Sequence, residues 1–183
     1  MPMAVQKGLN RLWAIADGSR LGMNAFLALA QAAKNNGGGL DICFLGGLEV
    51  DCRGNVNAHQ STSGYVGIGG FANITHATRT IVFRLTFTAK GLAERRRGGE
   101  VEIVREGTIP KFKREISAIS FSAKNARRKG QRVLYVTERC VFELAAEGLR
   151  LLETYPGVDP ERDIARLLDF RMESSAAHSG RDG

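Results

Sequence analysis

Leu40-Asp-Ile-Cys-Phe-Leu-Gly46 is the stretch on which the fold turns. It is short, almost wholly apolar and closed by glycine, which is the pattern of a strand buried on both faces of a parallel sheet. Upstream, Asn35-Asn-Gly-Gly-Gly39 ends a helix-forming run, Ala25-Phe-Leu-Ala-Leu-Ala-Gln-Ala-Ala-Lys34, in which alanine and leucine dominate and nothing interrupts. Residues 1–36 therefore read as helical. Downstream, Asp51-Cys-Arg-Gly-Asn55 is a turn that reverses the chain into Val56-Asn-Ala-His59. Gly64-Tyr-Val-Gly-Ile-Gly-Gly-Phe71 follows as a glycine loop opening a short helix.

The rest of the chain is rich in strand signals. Arg79-Thr-Ile-Val-Phe-Arg-Leu-Thr-Phe-Thr88 is β-branched and aromatic, and Glu100-Val-Glu-Ile-Val-Arg105 alternates as a strand with one wet face does. Residues 100–121 carry two or three strands in all, and Ser122 to Gly130 reads as a short polar helix or turn. Gln131-Arg-Val-Leu-Tyr-Val-Thr137, Cys140-Val-Phe-Glu-Leu144 and Leu149-Arg-Leu-Leu-Glu-Thr154 are three closely spaced strands. Asp159 and Pro160 supply an N-cap and a first-turn proline, predicting a helix through Ile164, Leu167 and Leu168. These elements predict an α/β fold: an open, mostly parallel sheet flanked by helices. One domain is expected over 37–172, preceded by a divergent helical segment (1–36) and followed by a disordered tail (173–183).

Composition sets the limits on function. The chain of 183 residues has 43% hydrophobic and 25% charged residues, ordinary for a globular domain. No apolar run approaches the about eighteen residues that span a bilayer, so no membrane association is expected. With no long apolar signal core near the N-terminus, a cytoplasmic protein is the default. Cys43, Cys52 and Cys140 are widely spaced with no CxxC pair, which argues against a disulfide framework and a zinc site. They read as small buried hydrophobes, and His59, His76 and His178 form no ligand-like cluster, so no metal is expected. The net charge of +7 favours anionic partners. The basic residues concentrate at Arg95 to Arg97, at Lys111, Lys113 and Arg114, and from Lys124 to Lys129.

The glycine loop is the local feature that suggests chemistry. Gly67, Gly69 and Gly70 carry no side chain to keep an anion or a carbonyl oxygen from the backbone N–H groups, and a following helix adds its dipole. The surroundings sharpen this. Gly37-Gly-Gly-Leu-Asp-Ile-Cys-Phe-Leu-Gly46, Glu49-Val-Asp-Cys-Arg-Gly-Asn-Val-Asn57 and Gly67-Ile-Gly-Gly-Phe-Ala-Asn-Ile-Thr75 resemble consecutive blocks of the propionate-type and acetate/3-ketoacid-type CoA transferases. The likeness continues through Thr86-Phe-Thr-Ala-Lys-Gly-Leu92, Ile103-Val-Arg-Glu-Gly107 and Ile119-Ser-Phe-Ser-Ala123. It ends with Val133-Leu-Tyr-Val-Thr-Glu-Arg-Cys-Val-Phe142, Gly157-Val-Asp-Pro-Glu-Arg-Asp-Ile164 and Asp169-Phe170. Ordered blocks over about residues 37 to 170 identify the C-terminal part of the glutamate-bearing half of such an enzyme.

The resemblance implies two similar α/β halves with the active site between them. A glutamate attacks the acyl-CoA thioester, gives an anhydride and then a glutamyl-CoA thioester, and a carboxylate collects the CoA. Gly67, Gly69, Gly70, Phe71 and Asn73 match the loop that would hold the thioester and CoA beside that glutamate. The implied partners are an acyl-CoA, a carboxylate, and an alpha half or a second copy of the chain. Coenzyme A enters as substrate, with no separate cofactor. The family's glutamate lies in a Glu-x-Gly segment before the Gly37 block, yet residues 1–36 contain no glutamate and only one acid, Asp17. Asp17 is one carbon too short. Glu49 falls after the block and reads as a strand-end acid, and Glu138 belongs to the late blocks, so no catalytic residue is assigned. The expectation is a partial chain, inactive in isolation. The alternative is a basic nucleic-acid- or partner-binding module without catalysis, disfavoured because no stacking aromatics interleave with the basic runs.

Overall fold

The computed structural model describes residues 13–15, 40–61, 64–65, 67–68 and 70–173. Their centre is a six-stranded sheet. It is made of β1 (Trp13–Ile15), β2 (Leu40–Gly46), β7 (Thr78–Arg84), β13 (Arg132–Val136), β14 (Cys140–Leu144) and β15 (Leu149–Thr154), side by side in that order. The first four are mutually parallel, and β14 and β15 complete the sheet antiparallel. The open, mostly parallel sheet is as the sequence predicts, with few helices. Trp13–Ile15 is a strand, where residues 1–36 read as helical; the remainder of that segment, and residues 174–183 of the expected tail, lie outside the described residues.

Two long crossovers fill the space between parallel strands, as parallel pairing requires. From β2 the chain makes β3 (Glu49–Asp51) and β4 (Val56–Asn57), an antiparallel pair, then β5 (Gln60–Ser61) and β6 (Gly64–Tyr65). Helix α1 (Phe71–Ala77) then leads into β7. From β7 it makes β8 (Thr88–Ala89), the hairpin β9 (Ala93–Arg97) with β10 (Glu100–Arg105), β11 (Ile109–Pro110), β12 (Phe112–Lys113) and helix α2 (Ala123–Arg128). Strand β12 returns to pair in parallel with β3. Strand β9 escapes a sequence reading because it is charged and exposed on almost every residue. Its signal is the two-residue Gly98-Gly99 turn, both residues with positive φ, as a tight hairpin demands.

The core lies where the periods agree. Alternate residues Cys43, Leu45, Ile81, Phe83, Val133 and Tyr135 share one sheet face and pack with Phe71 and Ile74 of α1. A second layer stacks Phe87, Phe112 and Phe142. The turn at residues 51–55 is locked into this core. Buried Asp51 accepts the backbone N–H groups of Arg53 and Asn55 at 3.0 and 2.8 Å, and Asn55 Oδ1 takes the N–H of Ala123 at 2.9 Å. Tyr135 donates its hydroxyl to the Gly54 carbonyl at 2.5 Å.

One expected element is replaced. The helix predicted from Asp159 is a set of turns ending in a single 3-10 turn, Ala165–Leu167. Asp163 turns its carboxylate onto the N–H of Asp159, at 2.9 Å, and its carbonyl accepts Arg139 Nη1, also at 2.9 Å. That carbonyl is withdrawn from any helical ladder.

Gly54 holds φ at +87°, and a Cβ there would lie 2.5 Å from Leu144 Cδ1 and 2.7 Å from the Tyr135 hydroxyl. Gly54→Ala is expected to cost about 1–3 kcal/mol of stability in urea unfolding, from strain alone. A change within error would show that the turn adapts.

Candidate functional site

The candidate site is built at the carboxyl edge of the parallel strands, where open α/β sheets bind ligands. Strand β2 ends there at Gly46, paired in register with Arg84 at the end of β7. Helix α1 runs the other way, since Ala77 precedes Thr78, which pairs with Leu40 at the amino edge. Phe71, the first residue of α1, packs on Phe83, one residue before the end of β7, so the start of α1, with Gly70 before it, lies toward the carboxyl edge.

Within the glycine loop, Gly67 is exposed and a Cβ there would meet no atom within 4 Å, so no contact among the described residues demands glycine at that position. Gly70 is the N-cap of α1 with φ −76° and ψ 0°, and no side chain caps the helix. Phe71 is buried, its ring 6.0 Å from Phe83, and so it seats the helix rather than facing solvent. Asn73 is exposed on the first turn. Gly69 lies outside the described residues. The structure thus brings Gly67, Gly70, Phe71 and Asn73 into one loop-helix unit.

The acids weighed from sequence are held in structural bonds. Glu49 accepts from Lys113 Nζ at 2.5 Å, from Asn57 Nδ2 at 2.9 Å and from Ser117 Oγ at 3.4 Å. Burial works against its ionisation, but these donors and the Lys113 charge outweigh it and hold the carboxyl below the ordinary glutamate value. Glu138 accepts the Phe87 N–H at 2.9 Å and Arg139 Nε at 2.7 Å. Arg139 is the residue that sequence reading missed. Its side chain is fully buried and ion-paired to Glu106 as well as Glu138, with its guanidinium 4.7 Å above the Phe87 ring. Burial disfavours its charge, yet the two carboxylates more than restore it and raise its pKa.

The cysteines are buried or half-buried. Burial pushes the Cys43 thiol up to about 11 and Cys140 to about 12, so neither is a thiolate at neutral pH. Among the described residues no group of three or more His, Cys, Asp or Glu is placed to hold a metal, and no helix is long and apolar enough to cross a membrane.

The basic runs are dispersed by the fold. Alternation along β9 sets Arg95 and Arg97 opposite Glu102 and Glu100, while Arg96 pairs with Glu94 at 3.3 Å. Arg127 donates to the carbonyls of Ala145 and Arg53, at 2.6 and 2.9 Å. Lys129 meets His76 Nδ1 at 2.6 Å. A stripe of free cations to track phosphates is not formed among these residues.

Comparison with known proteins agrees with the sequence reading. No family model matches the chain. It is 42% identical over 157 residues to the acetate CoA-transferase YdiF of Escherichia coli K12, covering 85% of this chain and 30% of that protein. It is 39% identical over 146 residues to the caffeate CoA-transferase of Acetobacterium woodii, covering 77% of this chain and 28% of that one. The crystal structure of the acyl-CoA transferase YdiF apoenzyme from E. coli O157:H7 superposes with a TM-score of 0.76 at 41% identity, over 81% of this chain and 28% of that one. The chain is a partial CoA-transferase-like polypeptide, spanning about 30% of the length of the curated relatives it matches. Glutaconate coenzyme A-transferase of Acidaminococcus fermentans (TM-score 0.56, 17% identity) and the decarboxylase AibA/AibB (0.56, 22%) share the fold.

Two outcomes follow from these contacts. A carboxyl held below its ordinary pKa in the folded state stabilises above the unfolded value and loses that contribution as pH falls through the folded one. Glu49→Gln is therefore expected to flatten the fall in stability below about pH 5, measured by urea unfolding at stepped pH; an unchanged slope would remove Glu49 from the acid response. For nucleic acid, filter binding is expected to show no affinity tighter than the non-specific range of about 10⁻⁴–10⁻⁶ M. Tight retention that falls steeply with salt and resists competition by CoA would restore the basic-module reading.

Proposed function

We propose that the chain forms the CoA-facing part of a CoA transferase, with Gly67, Gly69, Gly70, Phe71 and Asn73 as its thioester- and CoA-binding loop. The single observation that supports this most is the coincidence of two independent facts. The blocks that resemble the family run in order over the described sheet, and the start of α1, with Gly70 before it, lies toward the carboxyl edge of that sheet. In this reading the loop's backbone N–H groups hold the thioester oxygen while a glutamate attacks the carbonyl carbon. Phe71 fixes the loop by its packing on Phe83.

The glutamate belongs to another segment or chain of the assembled enzyme. Among the described residues, Glu49, Glu106 and Glu138 are each committed to a buried or half-buried cation. Partners of the assembled enzyme are then an acyl-CoA, a carboxylate acceptor, and an alpha half or a second copy. Coenzyme A is substrate, and no further cofactor is needed by this chemistry. The substrates named for the relatives, acetate and caffeate, mark the range over which the acyl group could lie.

The purified chain is expected to bind CoA weakly and to catalyse no CoA exchange between acetyl-CoA and propionate. Gly67→Val and Gly70→Val should each weaken CoA binding at least about tenfold by placing a branched side chain over the loop N–H groups. Robust turnover, abolished by replacing one of the chain's own acids, would overturn the assignment of the nucleophile. Unchanged CoA affinity in both glycine variants would overturn the loop.

A further inference from the structure

Five large apolar side chains stand exposed among the described residues: Tyr65, Ile68, Val104, Ile119 and Leu152. Tyr65, at 79%, and Ile68, at 39%, flank Gly67 within four residues. The Tyr65 ring lies 6.2 Å from the His59 ring at an interplanar angle of 22°, a stacked pair. His59 Nδ1 is 2.6 Å from Ser120 Oγ, which also accepts the Ala58 N–H at 2.7 Å. Ser120 is itself pinned, its N–H donating to the Val56 carbonyl at 2.8 Å. Asn57 Oδ1 takes the N–H groups of His59 and Gln60 at 3.2 and 3.0 Å. The exposed tyrosine is thus backed by a bonded imidazole on a tied loop, a flat shelf leading to the glycines.

Charge gives the second observation. Residues 54–78 contain no Asp, Glu, Lys or Arg, in a chain that is 25% charged overall. An uncharged apolar shelf favours the uncharged part of a ligand over its phosphates or a carboxylate. Size gives the third. An aromatic side chain offers about 150–250 Å². Two partly exposed side chains, Tyr65 and Ile68, therefore present far less than the about 800 Å² per partner of a stable protein interface. A short chain of methylenes or a single ring is of matching size.

We infer that Tyr65, seated on His59 and continued by Ile68, forms the wall along which the acyl group of an acyl-CoA lies, selecting uncharged aliphatic or aryl acyl groups over those bearing a second carboxylate. This rests on reading Gly67 to Phe71 as the thioester loop, and it adds the chemical class of the acyl group. Tyr65 acts as a specificity-determining residue and takes no part in bond making.

The test is calorimetric titration of the purified chain with CoA, butyryl-CoA and succinyl-CoA, repeated for Tyr65→Ala and Tyr65→Phe, with thermal melts to show that both variants fold. Butyryl-CoA is expected to bind on the order of tenfold tighter than either CoA or succinyl-CoA, as a few buried methylenes imply. Tyr65→Ala should reduce that preference to about twofold or less while leaving CoA affinity unchanged, and Tyr65→Phe should keep it. If CoA binds but the butyryl preference is absent, or survives in Tyr65→Ala, the acyl wall is wrong and the glycine loop stands. If none of the three ligands binds, both readings fail together. Loss of self-association in Tyr65→Ala by light scattering, with ligand preferences intact, would make the shelf an interface between copies and overturn the inference.

Discussion

A guanidinium withdrawn from water, at the bend between two strands, is the constraint around which this structure is arranged. Arg139 donates to Glu106, Glu138 and the Asp163 carbonyl and lies over the face of Phe87. Isolated burial of such a charge would be prohibitive, so its partners must all be in place at once. Glu106 arrives from the segment after β10 and also accepts the Thr88 hydroxyl. Glu138 holds the backbone N–H of Phe87. Asp163 comes from the turns that lead into Ala165–Leu167. One side chain therefore ties the β13–β14 bend to the second crossover and to the C-terminal turns.

That tie also explains two features with no local cause. The cluster of Phe87, Phe112 and Phe142 forms with Phe87 beneath the guanidinium, because the same bonds that hold Arg139 fix Phe87. The C-terminal helix fails to form, because the carbonyl of Asp163 is claimed by Arg139 and its carboxylate by Arg162 and the Asp159 N–H. A locked turn at the other crossover, built on Asp51, Asn55 and Tyr135, plays the matching part around Gly54. Between these two fixed points the uncharged stretch 54–78 is left to present its glycines and its exposed tyrosine.

The scaffold does not choose the chemistry. A decarboxylase shares this fold at 22% identity, as does a glutaconate CoA-transferase at 17%, so the sheet and its crossovers carry no reaction of their own. The reading as a CoA transferase comes from relatives near 40% identity and from what stands at the carboxyl edge.

By itself the sequence determined the elements whose periods are local. Leu40 to Gly46, the glycine loop with its short helix, and the three strands after Gly130 fall where patterning and turn residues put them, because burial on a sheet and glycine conformations act over a few residues. The resemblance to the CoA transferases, rather than local patterning, marked Gly67, Gly69, Gly70, Phe71 and Asn73 as one loop. Only the tertiary structure decided what depends on distant partners. Arg139, between two apolar strands, carries no local signal of its role until Glu106, Glu138 and Asp163 converge on it. Asp159-Pro160 reads as a helix start until a remote guanidinium takes the carbonyl of Asp163. Arg95 to Arg97 read as a cationic patch until strand pairing sets glutamates across from them. Local periodicity is set by neighbours in the chain, whereas the environment of a charge is set by whatever the fold carries up to it.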